Sequence, residues 1–263
     1  MNLGKCKILK NNITACDEKF ILAEIQKKIQ ESNTLLVSPI ASYTLTLAYN
    51  NKNLEAVLEK FTYLLPDSQW IRWSLNFLYG KKLNNSVSGT KLMLKICDIS
   101  GKKGYKIFLY GTTKDTLACL KKKLMNLSPR LNIVGMNPSK FRKITQTEKY
   151  HLLRKIEKSG ANIMFVALGS PLQEIFTVNL LYEKPKLDIP IVVIPVGAAF
   201  DFISGVKPQA PEWLQKIGLE WLFRFINEPK RLWKRYLLFG PFYLILIFQQ
   251  KVSILVNNLS EIK

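Results

Sequence analysis

Apolar positions along this chain alternate between helical spacing and short continuous runs, a pattern that predicts helices interleaved with buried strands. Within residues 20–30, Ile21, Leu22, Ile25 and Ile29 fall on one helical face. Residues 34–37 form a short apolar run, and Ser38-Pro39 predicts its end. Helical spacing returns over residues 54–64 and runs into Leu65-Pro66-Asp67-Ser68, a turn signal. Residues 92–99 predict a further helix, closed by Gly101 and Gly104.

The second half is more regular. Residues 105–110 predict a strand entering Gly111-Thr112-Thr113, with a helix over 115–127 behind it. Residues 131–135 predict the next strand, with its turn at Gly135, and residues 148–158 the helix that follows. A strand over 162–167 reaches Gly169-Ser170-Pro171 and a helix from Leu172; a strand over 191–195 ends at Gly197. Strand, glycine turn and helix thus repeat, as in right-handed crossover units, which predicts the α/β class with a largely parallel sheet. No internal repeat, low-complexity block or linker stands out. The expected division is an α/β core over residues 1–206 and a basic, aromatic helical appendage over 207–263.

That appendage changes the picture. Trp213, Trp221, Trp233 and Tyr236 stand among Arg224, Arg231, Lys234 and Arg235 in a stretch rich in helix-forming apolar residues. Such a surface suits an anion and an oily phase together. The formal net charge of +20 points the same way, toward nucleic acid, nucleotide-linked substrates or an anionic membrane face. A generally lysine-rich composition is the plain alternative. Residues 236–248 are the one stretch that tempts a membrane-spanning assignment. They fall short of the roughly 20 apolar residues a span needs, and Gly240-Pro241 interrupts them. The expectation is a segment lying on the bilayer or dipping into it; the competing reading is a helix packed on the core or on another subunit. Cys6, Cys16, Cys97 and Cys119 lie far apart with no CxxC pair, and His151 is the single histidine, so neither a zinc site nor a bound cofactor is expected. With no signal peptide evident, reduced thiols in the cytoplasm are the expectation.

Ligands of an open parallel sheet sit beyond the carboxyl ends of its strands. Gly111, Gly169 and Gly197 fall there, and Gly135 joins them as a candidate. Glycine lets the backbone approach a phosphate, and the helix that follows offers free N–H groups. None of these turns is a complete GxGxxG or GxxxxGK[ST], so the reading is a nucleotide diphosphate site of neither standard type. Asp67 has two readings, a general base acting on a hydroxyl and an exposed Asx turn, and spacing alone favours the second. Ser38 is either a ligand for an oxyanion or sugar hydroxyl, or the cap of a helix beginning after Pro39. Gln173 opens the helix after Gly169 and points toward a cleft; Asp201 either bonds a ribose or base edge or caps the next helix. Arg224, Arg231, Lys234 and Arg235 recur at near-helical spacing, as a diphosphate grip or as a solvated basic face. His151 sits in a lysine-rich helix and reads as surface.

Several of these segments together resemble the WecG/TagA/CpsF family of glycosyltransferases. The resemblance is carried by residues 168–174 (LGSPLQE), 196–205 (VGAAFDFISG), 210–213 (APEW), 218–224 (GLEWLFR) and 228–232 (EPKRL). It extends from about Leu35 to about Leu237 and is most specific in the last third. It implies a Rossmann-like core and transfer of a sugar, N-acetylmannosamine-like or another hexose, from a UDP-sugar to a polyprenyl-diphosphate-linked glycan acceptor. The product would enter teichoic acid or another surface polysaccharide. The implied enzyme is inverting and metal-independent, and docks by its appendage on the cytoplasmic face of the membrane. By position, Asp67 matches the family's proposed base and Ser38 an assisting threonine. Gln173 and Asp201 match donor-site positions, and Arg224, Arg231 and Lys234 match positions that grip the acceptor diphosphate. The N-terminal half departs from the pattern: a Thr-x-Asn motif becomes Ser38-Pro39-Ile40, and Pro-Asp-Gly becomes Pro66-Asp67-Ser68. Residues 86–92 (SVSGTKL) lack the arginine and carboxylate usual there, and Leu172 replaces a usual lysine. A degenerate member that binds UDP-sugar or lipid without turnover is the first rival. A nucleic-acid-binding protein, supported by charge alone, is set aside. Homo-oligomerisation stays open.

Overall fold

The computed structural model describes residues 2–260; residue 1 and residues 261–263, the outer ends of the two expected parts, lie outside the described residues. A hairpin of β1 (Asn2–Ile8) and β2 (Asn11–Cys16) leads through α1 (Glu18–Gln30) to β3 (Leu35–Ile40). Two short helices, α2 (Ser42–Tyr49) and α3 (Lys52–Glu59), precede β4 (Tyr63–Pro66). Next come α4 (Gln69–Tyr79), α5 (Gly89–Lys103), β5 (Lys106–Gly111), α6 (Lys114–Leu127) and β6 (Asn132–Asn137). Then follow α7 (Gln146–Ser159), β7 (Ile163–Ala167), α8 (Leu172–Tyr182), β8 (Val192–Pro195) and α9 (Ala199–Ser204). The tail holds α10 (Glu212–Lys216), α11 (Glu220–Asn227), α12 (Pro229–Trp233), a π-helical turn over Lys234–Leu238, and α13 (Phe239–Ser260).

Six strands form one parallel sheet in the order β4-β3-β8-β7-β5-β6, with helices on both faces; β1 and β2 pair antiparallel in a separate sheet. Strands β3, β7 and β8 are buried on both sides, which is why they read as continuous apolar runs. One core cluster gathers Leu36, Phe108, Met164 and Val193; the other gathers Leu35, Ile107, Phe165 and Val192. Adjacent residues of each strand thus serve opposite faces of the sheet, giving the α/β, Rossmann-like architecture that the sequence implies.

Four boundaries differ from expectation. Strand β3 does not stop at Ser38-Pro39 but continues to Ile40, because Pro39 falls where β3 pairs with β4 and β8 no longer pairs with it. The helix expected over 54–64 ends at Glu59, and Tyr63–Pro66 is a strand whose Leu64 and Leu65 are buried. Gly101 lies inside α5, and Gly104, at φ +73°, is the residue that ends it. Gly135 is not a turn: it lies within β6 opposite Phe108, whose ring occupies the place of a Cβ. The hairpin and helix α4 have no counterpart in the sequence expectation.

The tail departs further. Gly240-Pro241 does not interrupt it; Pro229–Ser260 is continuously helical over 32 residues, long and apolar enough to cross a membrane by length and composition. Pro241 offers no N–H to the turn before it, and the backbone there is wound wider, with Phe239 N–H bonded to the Lys234 carbonyl. A π turn is a known way to admit such a residue without ending a helix. Helix α13 lies along the core and is pinned to it. Tyr243, Leu246 and Ile247 are buried, the Tyr243 and Ser74 hydroxyls are 2.8 Å apart, and Gln250 Nε2 donates to the Lys7 carbonyl at 2.7 Å. Its other face exposes Phe242, Ile245, Phe248, Val252 and Val256. One apolar face on protein and one on the outside is the form of a helix that docks on a membrane surface.

Candidate active site

Turns at the carboxyl ends of five parallel strands meet in one cleft, a cavity of about 770 Å³. Asp67 follows β4, Ala41 follows β3, Gly197 follows β8, Gly169 follows β7 and Thr112 follows β5, and all five line it. A second cavity of about 810 Å³ lies beside the first and runs out along Trp221, Tyr236, Phe239, Pro241 and Leu244. Ala41, Asp67, Ser88, Glu220, Arg224 and Arg235 line both cavities and so form the wall between them.

Asp67 is fixed on that wall by three elements. Its N–H donates to the Ile40 carbonyl at 3.3 Å, Ser68 caps α4, and Gly89 N–H donates to Oδ1 at 2.9 Å. Gly89 is the first residue of α5, whose N-cap Ser88 makes no side-chain cap bond, so the Asp67 carboxylate sits on the positive end of that helix. Burial raises its carboxyl above the ordinary 3.8, against the pull of the Gly89 N–H and of the Arg224 and Arg235 guanidiniums. Glu220, in the first turn of α11, is raised by burial and then by the charge of Asp67; Arg224, Arg235 and Lys91 oppose the rise. Burial lowers Arg235. Arg224 lies 5.5 Å from the Phe202 ring centroid with its Nε buried and unpartnered, and Arg235 lies 5.0 Å from that of Tyr43. Among the described residues neither guanidinium has a carboxylate at ion-pair distance. Asp67 and Glu220 are their nearby counter-charges, but neither carboxylate pairs with them directly, which leaves guanidinium donors facing the cavities.

The sequence of the chain matches a known group of proteins. The model of the Glycosyl transferase WecG/TagA/CpsF family matches residues 6–255. This chain belongs to that family. It is 29% identical over 204 residues to the N-acetylglucosaminyldiphosphoundecaprenol N-acetyl-beta-D-mannosaminyltransferase of Bacillus subtilis (strain 168), covering 78% of this chain and 75% of that protein. To the protein of the same name from Bacillus spizizenii (strain ATCC 23059 / NRRL B-14472 / W23) it is 26% identical over 216 residues, covering 82% of this chain and 80% of that protein.

Within this glycosyltransferase, the structure gathers eight sequence candidates on the cleft: Asp67, Gly169, Gln173, Gly197 and Asp201, with Arg224, Arg231 and Arg235. Asp67 is no exposed Asx turn. Gln173 is 3% exposed, and its Nε2 donates to Ser170 Oγ at 3.3 Å and Glu174 Oε1 at 3.0 Å. Asp201 joins a rim network: Lys207 Nζ lies 3.2 Å from Asp201 and 2.9 Å from Glu228, which Arg231 grips with two bonds of 2.6 Å.

Four candidates lie elsewhere. Ser38 neither caps a helix nor reaches the cleft; it is fully buried within β3, its hydroxyl 3.5 Å from Glu174 Oε1 under the Gly169 turn. Gly111 and Gly135 do not line the cleft. Gly111 ends β5 at φ +125°, pressed on the backbone of Ala167, which leaves no room for a Cβ. Lys234 stands over Trp233, outside both cavities. Sequence reasoning missed Glu220, Ser88 and the stacked pair Tyr110–Phe176, whose centroids are 4.3 Å apart on the cleft wall. Glu220 stands in the quoted segment 218–224, four residues before Arg224, and that helical spacing was the available signal. Among the described residues no three His, Cys, Asp or Glu side chains converge as a metal site.

Proposed function

We propose that this chain transfers a sugar from a UDP-sugar to a polyprenyl-diphosphate-linked N-acetylglucosamine acceptor on the inner face of the cell membrane. The observation that carries the reading is the meeting of two cavities at Asp67, one walled by phosphate-compatible turns and the other running out along the apolar tail helix. The names of the two relatives support an N-acetylmannosamine-like sugar and this acceptor class. The first cavity takes the UDP-sugar, with Gly169 and Gly197 beside the diphosphate. The second takes the acceptor, its lipid leaving past Tyr236 and Leu244.

Asp67 accepts the proton of the acceptor hydroxyl as that oxygen bonds to the anomeric carbon and the carbon–oxygen bond to UDP breaks. Attack across the wall, opposite the leaving UDP, inverts the anomeric centre. Arg224 and Arg235 balance the diphosphate charge, and no step needs a metal. Residues 207–263 act as the appendage that brings these cations and the membrane face to the core.

The test is sugar transfer by purified protein from a panel of UDP-sugars to a short-chain polyprenyl-diphosphate-N-acetylglucosamine, comparing wild type with Asp67→Asn. Turnover that the substitution removes supports enzyme and base together. Turnover that it leaves untouched rejects Asp67. UDP binding with no turnover for any pair points to a binding scaffold.

A further inference from the structure

The wall between the cavities holds one ionisable group for which that account has no task. Asp67 is the base, and Arg224 and Arg235 face phosphate; Glu220 lines both cavities beside them. Its carboxyl makes no hydrogen bond and no ion pair with another described residue, so in the folded protein it is left to the cavities. Asp67, Arg224, Arg235 and Lys91 are the charged groups that act on it. The Asp67 charge on the same enclosed wall opposes ionisation of Glu220. The two are unequally placed: Asp67 has the Gly89 N–H and the α5 terminus to hold its charge, whereas Glu220 has no such donor. Burial and the Asp67 charge together favour the protonated form of Glu220. Pairs of carboxyls in which one stays ionised and the other protonated divide the work of base and proton donor between them.

We propose that Glu220 is a second catalytic carboxyl of this centre, donating a hydrogen bond in its protonated form to an oxygen of the acceptor sugar while Asp67 takes the proton of the attacking hydroxyl. The inference rests on the transfer reading above. The balance is simple: one proton passes from the acceptor hydroxyl to Asp67, one bond forms at the anomeric carbon, and one breaks with its electron pair going to UDP. Glu220 keeps its own proton throughout. Its hydrogen bond holds the acceptor sugar in the orientation that aims one hydroxyl at Asp67.

Two variants separate this role from a structural one. E220Q keeps a hydrogen-bond donor of the same shape but does not ionise; E220A removes the donor. With wild type turning over, E220A should lower kcat/KM for the acceptor about 100-fold while the KM for the UDP-sugar stays within about twofold. E220Q should keep turnover within about fivefold of wild type and lose the alkaline decline of the pH–rate profile, which belongs to ionisation of Glu220. An E220A enzyme equal to wild type, a rise in the UDP-sugar KM alone, or an alkaline decline that persists in E220Q overturns the inference while leaving the transfer reading intact. A readout independent of turnover is the infrared difference spectrum, wild type minus E220Q, at pH 7. A protonated-carboxyl band in the difference supports the inference, and a carboxylate band in its place overturns it. Equal melting temperatures and equal UDP binding in the three proteins show that folding is not the cause.

Discussion

At the scale of single residues, charge enclosed in the wall bears on stability and, on the proposed reading, on activity. Asp67 is raised in the folded state, so between pH 3.8 and its folded value the native protein binds more protons than the unfolded one. Stability therefore falls as pH rises through that window. Asp67→Asn should remove that fall and leave the melting temperature at neutral pH equal or higher, while transfer drops about 100-fold or more. In wild type, activity should rise with pH through the same value; calorimetry and a pH–rate profile check the two halves. Glu228 works in the opposite direction: Arg231 and Lys207 hold its carboxyl down to about 2 from 4.5. Its contribution is complete above 4.5 and is lost as pH falls toward 2. Glu228→Gln should cost about 1–2 kcal/mol at pH 7 after allowance for solvent screening, and the deficit should shrink in urea titrations repeated at pH 4 and pH 3. The sequence offered Asp67 as an isolated turn residue; its partner Gly89, 22 positions away, reaches it only through the fold.

At the scale of elements, the turns and the tail helix divide the burden differently. Gly111 sits at φ +125° against the Ala167 backbone, and neither strand can move aside without breaking the β5–β7 ladder. Gly111→Ala should therefore destabilise by about 3 kcal/mol or more. Gly169→Ala, at φ +77° with open space around it, should cost only about 1–2 kcal/mol. A urea unfolding comparison of the two variants distinguishes backbone conflict from conformational preference alone. Helix α13 has one face pinned by Tyr243 and Gln250 and one face exposed. Replacing Phe248 and Val252 together by Asp should abolish co-sedimentation with lipid vesicles, while the melting temperature moves little because neither side chain is buried. The helical periods of α1, α6 and α7 were legible because each buries one stripe. Strand β4 was not, since four residues, the last three of them buried, are too few to show a period.

At the scale of the whole molecule, the excess of cations and the apolar helix face act on the same partner. On the proposed reading, the net charge of +20 attracts an anionic surface, and the apolar side chains of α13 hold the protein there at short range. Association with vesicles rich in anionic lipid should weaken as salt rises from about 0.05 M to about 0.5 M, as the screening length shortens. Neutral vesicles should bind less and show little salt dependence. A salt-insensitive association would assign the attachment to apolar contact alone.

The sequence by itself determined the α/β class, most of the crossover units, the glycine turns and the basic, aromatic character of the tail. These properties are local: a period, a glycine before a helix, or a cluster of like residues is complete within a few positions of the chain. Tertiary structure decided which of those residues share a site. It drew Asp67, Glu220, Arg224 and Arg235 into one wall from segments more than a hundred residues apart, and put Ser38, Gly135 and Lys234 elsewhere. It also carried the tail helix through Gly240-Pro241, where the wide turn before the proline and a core-facing stripe outweigh a local helix-breaking signal. The physical reason is common to both: burial and electrostatic pairing depend on distances in space, and a chain fixes those only once its sheet order is set.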